Sequence, residues 1–287
     1  MLPTHFQPVL RLPRNTRGRD FVVGDLHGAF DLLEGALRQA NFDESRDRLL
    51  MVGDLEDRGR ASARCIELLL KDWAVSARGN HEQMALESFD SRGELKIPAD
   101  RLQAFHRNGM GWWLKLSAPK RLELLKLIER LPFALETETS RGTVGIIHAD
   151  VPVGMDWPTF IGKLEALDNR TLQVCIWGRA RIEADVHAGV PGVGRVFVGH
   201  TPQWGGLRRY GNVYAVDTGA VFGQEGNAAD GSLSLFNVVT KSAVTLAKPK
   251  ARLINVLDEP ELSRPFSTGP GYIQSLYRAP FYGLNAT

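Results

Sequence analysis

Cysteine is almost missing from this chain: there are two in 287 residues, Cys65 and Cys175, far apart and in helix-like segments. Two unpaired thiols in a reducing cytoplasm are the expected state, which excludes a disulfide-stapled secreted scaffold. A surplus of either charge is also missing. Lys plus Arg number 35 against 33 Asp plus Glu, a formal net charge of +2. That balance offers no global attraction for nucleic acid or an anionic membrane, so any affinity for phosphate has to be local. No apolar run approaches the roughly 18 residues that a spanning helix requires. The N-terminal MLPTHFQPVLRLPRNTRGRD places prolines and arginines where a signal peptide needs an apolar stretch. There is no internal repeat. What remains is 43% hydrophobic and 24% charged residues, the make-up of a soluble, cytoplasmic globular protein with a substantial core.

Apolar periodicity supplies the organisation. Phe21–Gly24 predicts a strand, and Ala29–Ala40 a helix with Phe30, Leu33, Leu37 and Ala40 on one face. Arg48–Val52 and Trp73–Ala77 predict two further strands, and Ala61–Lys71 and His81–Phe89 the helices that follow them. This β-α-β-α-β-α order favours a sheet with parallel members. Residues 98–131 predict helix as far as Pro132, and roughly Thr159–Trp177 another helical stretch. The second half is otherwise strand-rich: FALETET, TVGIIHA, RVFVGH, VYAVDTG, SLSLFNVV and SAVTLA. The expected architecture is mixed α/β with two sheets. It divides into an arm (1–19), one catalytic domain (20–247) and a C-terminal extension (248–287) rich in prolines and aromatics.

The ends of the predicted strands carry the chemistry. Asp25-Leu26-His27-Gly28 follows the first, Gly53-Asp54 the second, and Arg78-Gly79-Asn80-His81-Glu82 the third. Asp54 comes 29 positions after Asp25 and Asn80 comes 26 after Asp54. These spacings are close to the roughly 30 residues of a βαβ unit, so all three clusters should share the carboxyl-terminal sheet edge. Two later strands end on His148 and His200. Taken singly, each piece has a bland reading. A Gly-Asp at a strand end is more often a helix cap, Asn80 a turn residue, and a lone histidine a packed core side chain. Five strand ends supplying oxygen and imidazole donors together point to two divalent metals of the manganese, iron or zinc type. His5, His106 and His187 fall outside this set and read as surface or packing residues.

GDLHG (24–28), GDLEDRG (53–59), GNHE (79–82), IIHAD (146–150) and VGHT (198–201) resemble the motifs of the PPP-type phosphoprotein phosphatases. These belong to the calcineurin-like metallophosphoesterases. RGNHEQMAL (78–86), IWGRARI (176–182) and VDTGAVFG (216–223) are similar to the small bacterial and phage serine/threonine phosphatases. The resemblance runs from about Asp20 to about Val239. It implies two packed mixed sheets flanked by helices, in four layers, and a pair of divalent metals, manganese first, with Fe, Zn, Ni or Co as alternatives. Asp25 and His27 would hold one metal, Asp54 would bridge, and Asn80, His148 and His200 would complete the other. His81 would protonate the leaving alkoxide and Asp57 would orient it, while Arg58 and Arg179 would clamp phosphate oxygens. Arg181, two positions further on, is easily confused with Arg179. Asp217 reads as structural, closing a turn with Thr218 and Gly219, and Asp150 receives no role.

Two positions depart from the family pattern. Glu56 stands where an apolar residue is usual, and Arg60 where proline commonly follows Asp-Arg-Gly. Glu56 is expected to point into solvent, with Arg60 pairing with it or with a phosphate. The implied activity is removal of phosphate from phosphoserine or phosphothreonine of a phosphorylated protein or peptide, with phosphotyrosine or phosphohistidine as further substrates. A dinucleoside polyphosphate hydrolase on the same fold is the first alternative; that branch typically lacks the Asp-Arg pair seen at Asp57-Arg58. A non-catalytic scaffold for partner proteins is the second, and an intact His81 with a full ligand set argues against it. Neither nucleic acid nor membrane is an expected partner, and the oligomeric state is left open.

Overall fold

The strands Asp20–Val23, Arg48–Met51 and Ala74–Ser76 are only three or four residues long, because both of their faces are covered and the chain must turn at once into a motif-bearing loop. The structure, a computed structural model, describes residues 6–224, 231–239, 242–247 and 250–255. Strands run as β1 (Val9–Leu12), β2 (Asp20–Val23), β3 (Arg48–Met51), β4 (Ala74–Ser76), β5 (Ala134–Thr139) and β6 (Gly142–Ile147). They continue as β7 (Arg195–Val198), β8 (Arg208–Tyr210), β9 (Val213–Ala215), β10 (Leu233–Asn237), β11 (Ser242–Ala247) and β12 (Lys250–Asn255). The α-helices are α1 (Phe30–Gln39), α2 (Ser62–Glu67), α3 (Asn80–Ser88), α4 (Leu102–Arg107) and α5 (Ala118–Ile128). They are followed by α6 (Trp157–Glu165), α7 (Asn169–Trp177), α8 (Ala180–Glu183) and α9 (Ala220–Gln224).

Two mixed six-stranded sheets result, ordered β1-β5-β6-β7-β9-β8 and β12-β11-β10-β2-β3-β4. Strand alternation explains how they pack. Phe21, Val23, Leu49 and Met51 face α1 and α2, joining Leu33, Ala36 and Cys65. Their neighbours Val22, Leu50 and Val52, with Phe236 of β10 in the same sheet, face the other way, against Leu135, Val144, Ile146 and Phe197 of the opposite sheet. Helices α6 and α7 cover the far side of the first sheet through Trp157, Phe160, Leu164, Leu172 and Ile176. The order helix, sheet, sheet, helix is the four-layer architecture anticipated above.

Several expected helices are shorter than the periodicity suggests. The 98–131 stretch breaks into α4, a 3-10 turn at Met110–Lys115 and α5, because Gly109 takes φ +79 and the Ser117 side chain caps α5 by accepting from the Lys120 N–H. The 159–177 stretch splits at Leu167, which takes φ +56, and at Asp168, whose carboxylate accepts from the Thr171 N–H at 2.9 Å. The arm contributes β1, which pairs parallel with β5. The extension contributes β12; residues 256–287, and His5 at the other end, lie outside the described residues.

Register places the loops. β2, β3 and β4 are parallel, with Val22 opposite Leu50 and Leu50 opposite Val75. β6, β7 and β9 are also parallel. The carboxyl ends of both triplets therefore open on one edge of the molecule, and the motif residues gather there.

Candidate active site

At that edge backbone strain is concentrated. Of the eight non-glycine residues with positive φ among those described, five are here: His27, Asp54, Asp57, Arg58 and His200. The loops also press together closely enough to require glycine. Gly53 sits at φ +104, and a Cβ there would lie 2.5 Å from the Gly79 nitrogen. Glu82, on the first turn of α3, locks these loops. Its carboxylate accepts from the N–H groups of Asp54 (3.0 Å), Leu55 (2.8 Å) and Gly79 (2.7 Å).

Two groups of donors lie within 4.8 Å of one another: His27, Asp54 and His81, and Asp54, His148 and His200. Asp54 belongs to both. Asn80 joins the second group through Oδ1, 2.8 Å from His148 Nε2 and 2.9 Å from His200 Nδ1. Asp25 falls in neither group; its two carboxylate oxygens accept from the His200 backbone N–H at 3.1 and 3.0 Å. His81 occupies a donor position that the sequence reserves for a proton donor.

These residues fit a pair of divalent cations. His148 Nδ1 lies 3.1 Å from the Val52 carbonyl, which leaves Nε2 its lone pair, and that atom crowds against the Asn80 oxygen at 2.8 Å and His200 Nδ1 at 3.2 Å. Burial, then the Arg58 charge, holds His27 well below the usual imidazole range, and burial with Arg179 does the same for His200. Burial lowers His148 to about 3. All three are thus neutral, with lone pairs available to a metal. Burial raises the carboxyls of Asp25 and Asp54 well above their ordinary values, aided by Asp217 and Glu82 respectively. A cation removes that conflict by supplying the missing positive charge.

The remaining predicted residues also converge. Asp57 Oδ2 lies 2.6 Å from His81 Nδ1, and Arg58 Nη2 lies 2.8 Å from His81 Nε2, with Nη1 against His27 Nε2. Burial pushes Asp57 up to about 7 despite the opposing effects of Trp112, Arg58 and Trp113. Arg179 donates to Thr201 Oγ1 at 2.9 Å and to the His200 carbonyl at 3.3 Å. Arg181 does something else: it is buried and pairs with Asp150 at 3.0 Å, so the two arginines of WGRAR separate by role. Asp217 accepts from the Gly219 N–H at 2.9 Å, as its turn-closing reading requires. His106 and His187 are on the surface. Both cysteines are buried free thiols.

Glu56 requires correction. It is wholly buried rather than solvent-facing, and neither carboxyl oxygen has a hydrogen-bond partner. Burial, then the Glu82 and Asp57 charges, drives its pKa well above the usual carboxyl range. Arg60 is exposed and therefore cannot neutralise it. Periodicity alone reads a charge in a polar cluster as solvated; here the DRG loop folds back and carries position 56 inside, as an apolar residue would go.

Sequence reasoning missed Glu82, Thr201 and the two tryptophans. Glu82 had a signal, since a glutamate three residues into a helix commonly satisfies the first N–H groups. Trp112 and Trp113 had none: their contact with Asp57 spans more than fifty residues.

Among the described residues no helix is long and apolar enough to cross a membrane. Comparison with known proteins agrees with the geometry. Residues 21–204 match the family model for calcineurin-like phosphoesterases. Serine/threonine-protein phosphatase 1 of Salmonella typhimurium is 37% identical over 71% of this chain and 87% of its own length. A symmetrical bis(5'-nucleosyl)-tetraphosphatase of Glaesserella parasuis is 31% identical over 48% of this chain and 47% of its own. A solved protein provisionally described as a diadenosine tetraphosphatase superposes with a TM-score of 0.56 at 20% identity, covering 84% of this chain and 98% of that one. At that identity the likeness speaks to fold alone. With motif, fold and family model in agreement over the same residues, this chain belongs to the calcineurin-like phosphoesterase family.

Proposed function

We propose that the chain is a metal-dependent phosphomonoesterase that removes phosphate from phosphoserine or phosphothreonine side chains of proteins. The observation that carries this reading is the Asp57–His81 contact at 2.6 Å, with Arg58 beside the same imidazole. A monoester dianion needs guanidinium donors, and displacement of a serine or threonine alkoxide needs a proton source. Asp25, His27, Asp54, Asn80, His148 and His200 would hold two divalent cations, manganese first. Such a pair supplies Lewis acidity to the phosphate and lowers the pKa of an attacking water.

The chain's own residues do the rest. Arg58, in the loop after β3, and Arg179, at the start of α8, flank the donor groups and would grip the non-bridging oxygens. His81 Nδ1–H donates to the Asp57 carboxylate, which leaves Nε2 facing the cleft. Burial and the Arg58 charge hold His81 well below the ordinary imidazole range, hence neutral. A phosphate dianion that draws Arg58 onto its own oxygens exchanges a positive neighbour for a negative one. That exchange favours the imidazolium, so Nε2 would take up a proton from solvent on substrate binding and pass it to the leaving oxygen.

The bis(5'-nucleosyl)-tetraphosphatase relative sets the competing reading, and Asp57 weighs against it because that branch typically lacks the Asp-Arg pair. Rates measured side by side on a phosphoserine peptide and on diadenosine tetraphosphate, with manganese, should favour the peptide. A strong preference for the dinucleotide would overturn the assignment.

A further inference from the structure

Asp57 is the hinge between the phosphate-gripping Arg58 and the imidazole of His81, and its second oxygen is not left to water. Trp112 Nε1–H donates to Asp57 Oδ1 at 2.7 Å, and Trp113 Nε1–H donates to the same atom at 3.2 Å. We propose that these two indoles are positioning residues for the reaction: by seizing Oδ1 together, they fix the carboxylate so that Oδ2 is presented to His81 Nδ1. This rests on the assignment of His81 as proton donor made above.

Three physical points support it. A carboxylate on a short side chain can swap its two oxygens by rotation, and two donors converging on one of them remove that freedom. An indole N–H is a donor only and does not ionise, so it holds a carboxylate without competing for its proton. The Trp pair is also delivered to the loop rather than merely packed near it. Gly109, at φ +79, accepts from the Arg58 N–H at 3.4 Å through its carbonyl, and a Cβ there would lie 2.4 Å from the Arg58 nitrogen. The 3-10 turn that follows then sets Trp112 against Trp113, with ring centroids 4.5 Å apart and the planes tilted by 35°. Trp113 is wholly buried and packs on Phe89, so core packing accounts for its ring. Packing does not account for two N–H groups aimed at one oxygen of the residue that holds His81.

Trp112→Phe removes one N–H, keeps the aromatic ring, and lies at a position only partly buried. The test compares hydrolysis of p-nitrophenyl phosphate, whose leaving group needs little protonation, with that of phenyl phosphate, whose leaving group needs more. Trp112→Phe should lower kcat on phenyl phosphate by about tenfold, a fraction of the full effect of a general acid. It should leave p-nitrophenyl phosphate hydrolysis, KM and bound metal nearly unchanged, and should cost nothing further in an Asp57→Asn background. An equal loss on both substrates, or an undiminished loss on top of Asp57→Asn, would overturn the proposal. Asp57→Asn alone separates the two levels. If it is indifferent to the leaving group, the His81 assignment falls and the tryptophan role with it. If Asp57→Asn is selective and Trp112→Phe is not, only the tryptophan role falls.

Discussion

The two sheet edges that meet at the site are built differently. The β2–β4 edge supplies Asp25, His27, Asp54, Asp57, Arg58, Asn80 and His81 from three consecutive parallel strands joined by short helical crossovers. The β6–β7 edge supplies His148 and His200, with Arg179 arriving from the start of α8. On the first edge the functional groups hold one another: Asp57 to His81, Arg58 to His27 and His81, and Glu82 to three backbone amides. On the second, the imidazoles are held by backbone and by groups reaching across from the first edge. His148 Nδ1 lies 3.1 Å from the Val52 carbonyl, and the His200 N–H donates to Asp25. One edge is a self-bracing frame, and the other is a pair of donors set against it.

That asymmetry can be broken at its joint. Asp54 is the residue common to both donor groups, so Asp54→Asn should abolish manganese-dependent aryl phosphate hydrolysis, by at least about 10²–10³-fold. Metal analysis should show fewer ions per chain. Retained activity with full metal content would mean that the edges do not meet through this carboxylate.

A sharper contrast lies within the second edge. Arg181→Ala strands the buried Asp150, and losing one partner of such a pair costs about 3–5 kcal/mol. Arg179→Ala removes a partly buried guanidinium and should leave the melting temperature within a few degrees while raising KM for aryl phosphate. Thermal melts and steady-state kinetics on both variants check this, and the reverse pattern would exchange the roles of the two arginines.

The smallest effect is expected at Glu56, inside the otherwise well-partnered first edge. Replacing this unpartnered buried carboxyl with valine should stabilise the protein by about 1–3 kcal/mol, the usual cost of an unmet buried polar group. Metal content should stay unchanged. The pH dependence has a definite sign. The folded pKa is raised, so above about 4.5 the unfolded chain ionises while the folded one keeps its proton. Wild-type stability therefore declines with rising pH up to the folded pKa, and the advantage of Glu56→Val grows over that window. Denaturant melts from acid to neutral pH read it directly. An advantage that shrinks as pH rises would show that the carboxyl has a stabilising partner.

How much could be read in advance follows the same asymmetry. The first edge was legible because its βαβ units repeat at nearly constant length, so polar residues after apolar runs had to land side by side. On the second edge, His148 and His200 were legible from strand endings, but the choice between Arg179 and Arg181 came from resemblance alone. Spacing of two positions does not say which guanidinium meets a buried carboxylate. Helix ends were misjudged where a single left-handed residue or cap intervened, as at Gly109 and Asp168.

Read alone, then, the chain carried the β-α-β-α-β-α succession of its first half, the shared carboxyl-terminal edge and the donor types gathered there, because alternation and crossover length are local properties. Only the tertiary structure decided what each charge faces. It buried Glu56, gave Asp150 to Arg181 and brought Trp112 and Trp113 onto Asp57. Burial and hydrogen-bond partnership depend on segments distant along the chain packing at one place, and no local pattern encodes which segment that is.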